Sequence, residues 1–134
     1  MRMGAWGIGN IGMGSVTLNL VVIRSRDIDR LAAFYSAIGL NLVKHKHGSG
    51  QEHFSHENGP VVFEIYPQQG DENSTTGVRI GFQVQTVIAT VEEAVRAGAQ
   101  VVYSPKISAL GLRAIIDDPD GHRAELIEPI FVVE

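Results

Sequence analysis

The 134 residues carry a net charge of −4, with 44% hydrophobic and 19% charged positions and no cysteine, and the sequence pI is about 5.7. That length suits one domain with its own core, while the missing cysteines exclude disulfides and thiolate metal sites and fit a reducing compartment. Lysine and arginine are scattered, which argues against a nucleic-acid partner, and no apolar run is long enough to span a bilayer, so a cytoplasmic protein without a membrane partner is the expectation.

Residues 1–14 read as a Gly-rich N-terminal arm. Gly7-Ile8-Gly9-Asn10-Ile11-Gly12 fits G-x-G-x-x-G, but that motif needs a strand before it and a helix after it, and here nothing precedes it and a strand follows. The arm lacks the apolar region of a secretory signal. Its one tryptophan, Trp6, is suited to docking across a cleft or a partner subunit.

Residues 15–134 are expected to form a single domain of two modules, about 15–67 and 77–130. Ser15 to Arg24 is a strand rich in β-branched residues. Asp27 caps a helix over Ile28 to Ala37, in which Ile28, Leu31, Ala32, Tyr35 and Ile38 form one apolar stripe and Gly39 is the stop. Leu40 to His47, Gln51 to Ser55 and Val61 to Tyr66 follow as strands, separated by the turns Gly48-Ser49-Gly50 and Asn58-Gly59-Pro60. Gln68 to Thr76 is a polar linker.

The order then repeats. Gly77 to Val84 is a strand, and Ile88 to Ala97 is a helix with Ile88, Val91 and Val95 on its buried side and Gly98 as its stop. Gln100 to Tyr103 and Leu112 to Ile116 are strands. Asp118-Pro119-Asp120-Gly121 is a strong turn signal, and it leads into a last strand bearing Glu125. Each half therefore reads β-α-β-β-β, with Glu64 and Glu125 in equivalent last strands. The fold class is α+β, and two such copies imply pseudo-two-fold symmetry.

A carboxylate in mid-strand among large apolar residues is costly unless it meets a cation or hydrogen-bond donors, so Glu64 and Glu125 are candidate site residues. Phe63, Ile65, Tyr66, Phe82 and Tyr103 are candidate cleft linings, although strand aromatics commonly serve the core. The histidines are the other chemistry. His45 and His47 share a strand face, and His53 on the partner strand is expected to face the cleft beside Glu64. Two imidazoles and a carboxylate could hold an ion or place a general base near neutrality, while the plainer expectation is solvated hairpin residues. His122 follows the turn at an expected solvent position, with no role.

Residues 23–40 (IRSRDIDRLAAFYSAIGL), 63–67 (FEIYP) and 118–129 (DPDGHRAELIEP) together resemble the vicinal oxygen chelate superfamily, which includes glyoxalase I, bleomycin-resistance proteins and extradiol dioxygenases. The resemblance covers Val16 to Pro129 and implies a glyoxalase/bleomycin-resistance-like fold and a homodimer. In metal-dependent members four positions bind a divalent ion, and they fall here on Leu20, Glu64, Arg79 and Glu125. Leucine cannot ligate, and a guanidinium offers no lone pair. Arg79 is therefore expected to supply the positive charge that an ion would otherwise provide, bonding one or both glutamates.

Two functions follow as expectations. The first is a small-molecule binding protein of the bleomycin-resistance type, with no cofactor, its ligand held in the inter-module cleft near Glu64, Glu125, Arg79 and His53. The alternative is a divalent-metal-dependent lyase, isomerase or dioxygenase. Metal-independent acid/base catalysis by Glu64 or Glu125 is a third reading.

Overall fold

The computed structural model describes residues 14–130; the G-x-G-x-x-G stretch and Trp6 lie outside them. Chain order gives β1 (Leu20–Ser25), α1 (Ile28–Ala37), β2 (Val43–His45), β3 (His53–His56), β4 (Val62–Pro67), a 3-10 turn at Asp71–Asn73, β5 (Arg79–Gln83), α2 (Val87–Arg96), β6 (Gln100–Ser108), β7 (Gly111–Asp117) and β8 (Arg123–Glu128). The strands form two sheets with the same topology, β1-β4-β3-β2 and β5-β8-β7-β6. In each, the first strand runs parallel to the last, and antiparallel pairs complete the sheet. The repeated β-α-β-β-β order is thus present as predicted.

β1 starts later than its residue pattern suggests. Val16 and Leu18 are exposed, and pairing begins only where Leu20 meets Val62. Apolar alternation does not make a strand without a ladder partner. α1 begins as predicted, with the Asp27 side chain accepting from the Arg30 N–H at 3.0 Å, and Leu31, Ala32 and Tyr35 are buried together with Phe34. In α2 the predicted stripe is out of phase. Ile88 and Val95 are half exposed, and Val87, Val91 and Ala94 are the buried positions. Both stripes share Val91, and the helix starts one residue earlier than predicted, where the Thr86 side chain caps it by accepting from the Ala89 N–H.

Period-two alternation gives each sheet an apolar and a polar face. Ile23, Phe63 and Ile65 of the first sheet share one buried cluster with Ala114, Ile116, Ala124 and Leu126 of the second, together with both helices. Tyr35, Phe63 and Phe82 tie the modules at ring separations of 5.3 to 6.0 Å. The faces that carry Glu64 and Glu125 therefore point away from this common core.

A polar hub also joins the modules, and here the sequence reading is corrected. His122 is fully buried, not solvated. Its backbone N–H donates to Asp118 Oδ1 (3.0 Å), its Nδ1 lies 2.9 Å from Asp118 Oδ2, and its Nε2 lies 2.6 Å from Thr75 Oγ1. Tyr35 of α1 donates its hydroxyl to the same Asp118 at 2.7 Å. Burial, and then the Asp118 charge, push the Tyr35 phenol far above its ordinary pKa, so it stays a donor. Ser25 and Arg30 of the first module both reach Asp120 at 2.5 Å. The turn folds over His122 because Asp118 spends its acceptors on groups that would otherwise be buried without partners.

Candidate functional site

Each polar face has its own character. On the second sheet, Arg79, Glu125 and Arg113 come from three neighbouring strands. Arg79 Nη2 donates to Glu125 Oε2 at 3.0 Å, and Arg113 Nε donates to the same oxygen. The Arg113 hydrogen bond, more than that of Arg79, holds the Glu125 carboxyl below its ordinary pKa against the opposing effect of desolvation. That direction is wrong for an acid or base working near neutrality. On the same sheet Arg123 pairs with Asp117 at 3.0 Å.

The first sheet's face is built from imidazole and phenol instead. His45 lies opposite His53, and Arg24 lies opposite Tyr66 in the register. The His53 ring stacks on Tyr66 with centroids 4.3 Å apart and planes within 6°. The His45 ring stands 5.8 Å from that of His53 with planes within 28°, and His47 stands 5.8 Å from His45. Arg24 caps the row, 5.4 Å from the Tyr66 ring centre. His53 Nε2 lies 3.8 Å from Glu64 Oε2, while its Nδ1 faces the Gln51 carbonyl at 3.1 Å.

The four residues singled out from the sequence thus fall into two pairs, His53 with Glu64 and Arg79 with Glu125. Arg79 reaches one glutamate, not both, because the two acids stand on separate sheets whose polar faces both turn from the shared core. Sequence reasoning missed Arg113. The signal was available: the Asp118–Gly121 turn fixes Ile115 opposite Glu125, which leaves Arg113 as its diagonal neighbour on the same face.

Arg79 also borders a pocket of about 740 Å³ between the modules, lined by Leu18, Val21, Leu40 and Phe63 on one side and by Val78 to Gln83 on the other. Of the predicted cleft residues, Phe63 and Phe82 line it. Ile65 is core, Tyr66 belongs to the imidazole row and Tyr103 is exposed.

The profile of the Glyoxalase/Bleomycin resistance protein/Dioxygenase superfamily matches residues 17–126. The chain belongs to this superfamily. No protein of curated function matches the sequence. Among solved structures, a glyoxalase/bleomycin resistance protein/dioxygenase family enzyme from Burkholderia phytofirmans PsJN superposes with a TM-score of 0.67 at 22% identity, over 83% of this chain and 97% of that one. TnmS3, an antibiotic binding protein from Streptomyces sp. CB03234, gives 0.70 at 18%, over 87% and 98%. The bleomycin resistance determinant encoded on transposon Tn5 gives 0.62 at 20%, over 87% and 100%. At these identities the likeness carries the fold alone.

The four positions that hold an ion in metal-dependent members of the superfamily do not fit one here. Leu20 has no donor atom, and Arg79 is itself a cation bound to Glu125.

Proposed function

We propose that the protein binds a small, largely apolar molecule in the pocket between its modules and acts as a binding protein of the glyoxalase/bleomycin-resistance type. The observation that carries this reading is the pocket itself. Its volume of about 740 Å³ lies in the range that holds drug-sized ligands, and its walls are mostly aliphatic and aromatic, with Arg79 at the border. The mismatched ligating positions support it from the chemical side, as do relatives described as an antibiotic binding protein and a bleomycin resistance determinant.

We further place a second copy of the chain over the exposed apolar surface. β1 and β5 are sheet edges without a strand partner among the described residues, and Leu18, Leu20 and Val78 are exposed beside them. Such a surface suits a homodimer, and light scattering during gel filtration reads the mass directly.

Val21 provides the test of ligand binding. It lines the pocket from the core-facing side of β1, opposite Phe63, and is only partly buried. Val21→Trp should narrow the pocket, and circular dichroism verifies that the variant keeps the fold. Bleomycin and a panel of planar antibiotics, titrated by calorimetry, should include at least one ligand that binds the native protein and loses about tenfold or more in affinity in the variant. Ligands whose affinity Val21→Trp leaves untouched would sink the pocket reading.

A further inference from the structure

The imidazole row is a second cluster, sharing no residue with the pocket, with its own chemistry. His45, His47 and His53 form a near-equilateral triangle with ring centroids 5.8, 5.8 and 5.9 Å apart. Three imidazoles around a tetrahedral ion, with metal–nitrogen bonds of about 2.0–2.1 Å, have centroids roughly 5 Å apart. The centroid spacing is thus near that value, while the stacked planes show that the rings must also turn.

His53 is prepared for ligation. It is 95% buried by its 5% exposure, and Tyr66 holds its plane. Its Nδ1 lies 3.1 Å from the Gln51 carbonyl, so in the neutral ring the Nδ1–H donates there and Nε2 carries the free lone pair. A backbone carbonyl fixing the remote nitrogen is the usual support of a metal-binding histidine. That lone pair faces the Glu64 carboxylate across 3.8 Å. Two donor atoms on one tetrahedral ion, each with a bond of about 2.0 Å, stand roughly 3.3 Å apart, so Glu64 must close by about half an ångström to join it.

We propose that His45, His47 and His53, with Glu64 as the neighbouring carboxylate, take up a divalent transition ion such as Zn²⁺. Imidazole is a donor these ions favour, and one carboxylate offsets part of the charge. The rings now lie face to face, and no three such groups among the described residues converge on one point. Binding therefore turns the His45 and His47 rings. Neither is buried: His47 is exposed, and the His45 side chain is about one-third exposed with only the exposed Glu57 carboxylate 3.8 Å from its Nε2, so a change of rotamer gives up one solvent-screened contact. The other two histidines are occupied, His56 at the Asn41 backbone and His122 in the Asp118 hub.

Tag-free protein, stripped with chelator and dialysed, is titrated with Zn²⁺ by calorimetry and with Co²⁺ by visible absorption. The expected result is one ion per chain with a tetrahedral Co²⁺ spectrum. Replacing His45 and His47 together by alanine should weaken uptake by more than about tenfold, as should His53→Ala, while His56→Ala changes nothing. The paired variant removes two surface rings and keeps the fold, which circular dichroism verifies. Failure of the native protein to take up a stoichiometric ion overturns the proposal, and so does uptake that the paired variant retains. The site shares no residue with the pocket, so a protein that binds zinc but no antibiotic, or the reverse, separates this proposal from the proposed function.

Discussion

The polar faces of the two sheets are made from the same frame and meet the cost of a mid-strand glutamate in opposite ways. Glu125 is bound by two guanidinium groups on adjoining strands, whereas Glu64 faces one imidazole edge at 3.8 Å in a row of stacked rings. The strand position is equivalent in the two halves, and both acids stand beside the parallel partner strand, at Val22 and Gly81. What differs is the diagonal neighbour: Arg113 on the second sheet, His53 on the first. A repeat fixes where a carboxylate stands, and side chains two residues along the next strand decide what it can do.

The same contrast runs through the hairpins, and the largest expected effect lies there. Gly111 closes the β6–β7 hairpin at φ +131°, and a Cβ would land 2.3 Å from the Glu128 carbonyl oxygen. Gly48, in the corresponding β2–β3 connection, has φ +59° and open space around it. Gly111→Ala should cost about 3–5 kcal/mol, because backbone must move as well as adopt a strained angle. Gly48→Ala should cost about 1 kcal/mol, for the angle alone. Urea unfolding of both variants measures the difference, and equal losses would mean that the two hairpins are constrained alike.

A second pair of variants compares the acids themselves. Glu125→Gln leaves Arg79 and Arg113 directed at a neutral amide and should cost about 1–2 kcal/mol at neutral pH. Glu64→Gln removes a charge that has no guanidinium partner among the described ion pairs and should cost less than about 0.5 kcal/mol. Thermal melts at matched ionic strength report both. A larger loss for Glu64 would reverse the ranking drawn from the geometry.

Much of this frame was legible beforehand. The helix stops Gly39 and Gly98 and the cap at Asp27 each rest on a local conformational preference, and local preferences survive folding. The register across Asp118–Gly121 was legible for the same reason, and with it the Arg113–Glu125 diagonal, had the face been followed one strand further. His122 was not legible. Its burial depends on Tyr35 reaching Asp118 across 83 residues and Thr75 reaching His122 across 47, as the hydrogen bonds of the hub show, and a polar side chain after a turn carries no sign that such partners exist. The separation of Glu64 from Glu125 was hidden too. Alternation tells which residues share a face of one sheet, but not how two sheets are turned relative to each other.

The smallest effects test the guanidinium clamp by pH. Glu125 titrates lower in the folded chain than its ordinary value, with Arg113 the first cause and Arg79 a lesser one. A depressed carboxyl pKa contributes stability above the unfolded value of about 4.3, and that contribution is lost as pH falls through the folded pKa. Arg113→Met should raise the Glu125 midpoint towards the ordinary value, and the variant should then lose less stability than the native protein between about pH 5 and pH 3. Arg79→Ala should act in the same direction with a smaller shift, near 0.5 kcal/mol or about that at neutral pH, because the Arg79 side chain is 51% exposed and solvent screens it. Carboxyl ¹³C titration of Glu125 in the three proteins gives the order directly. If Arg79→Ala moves the midpoint further than Arg113→Met, the clamp is held chiefly from the pocket side, and Arg79 rather than Arg113 is the group that ties the second sheet's charge to the pocket border.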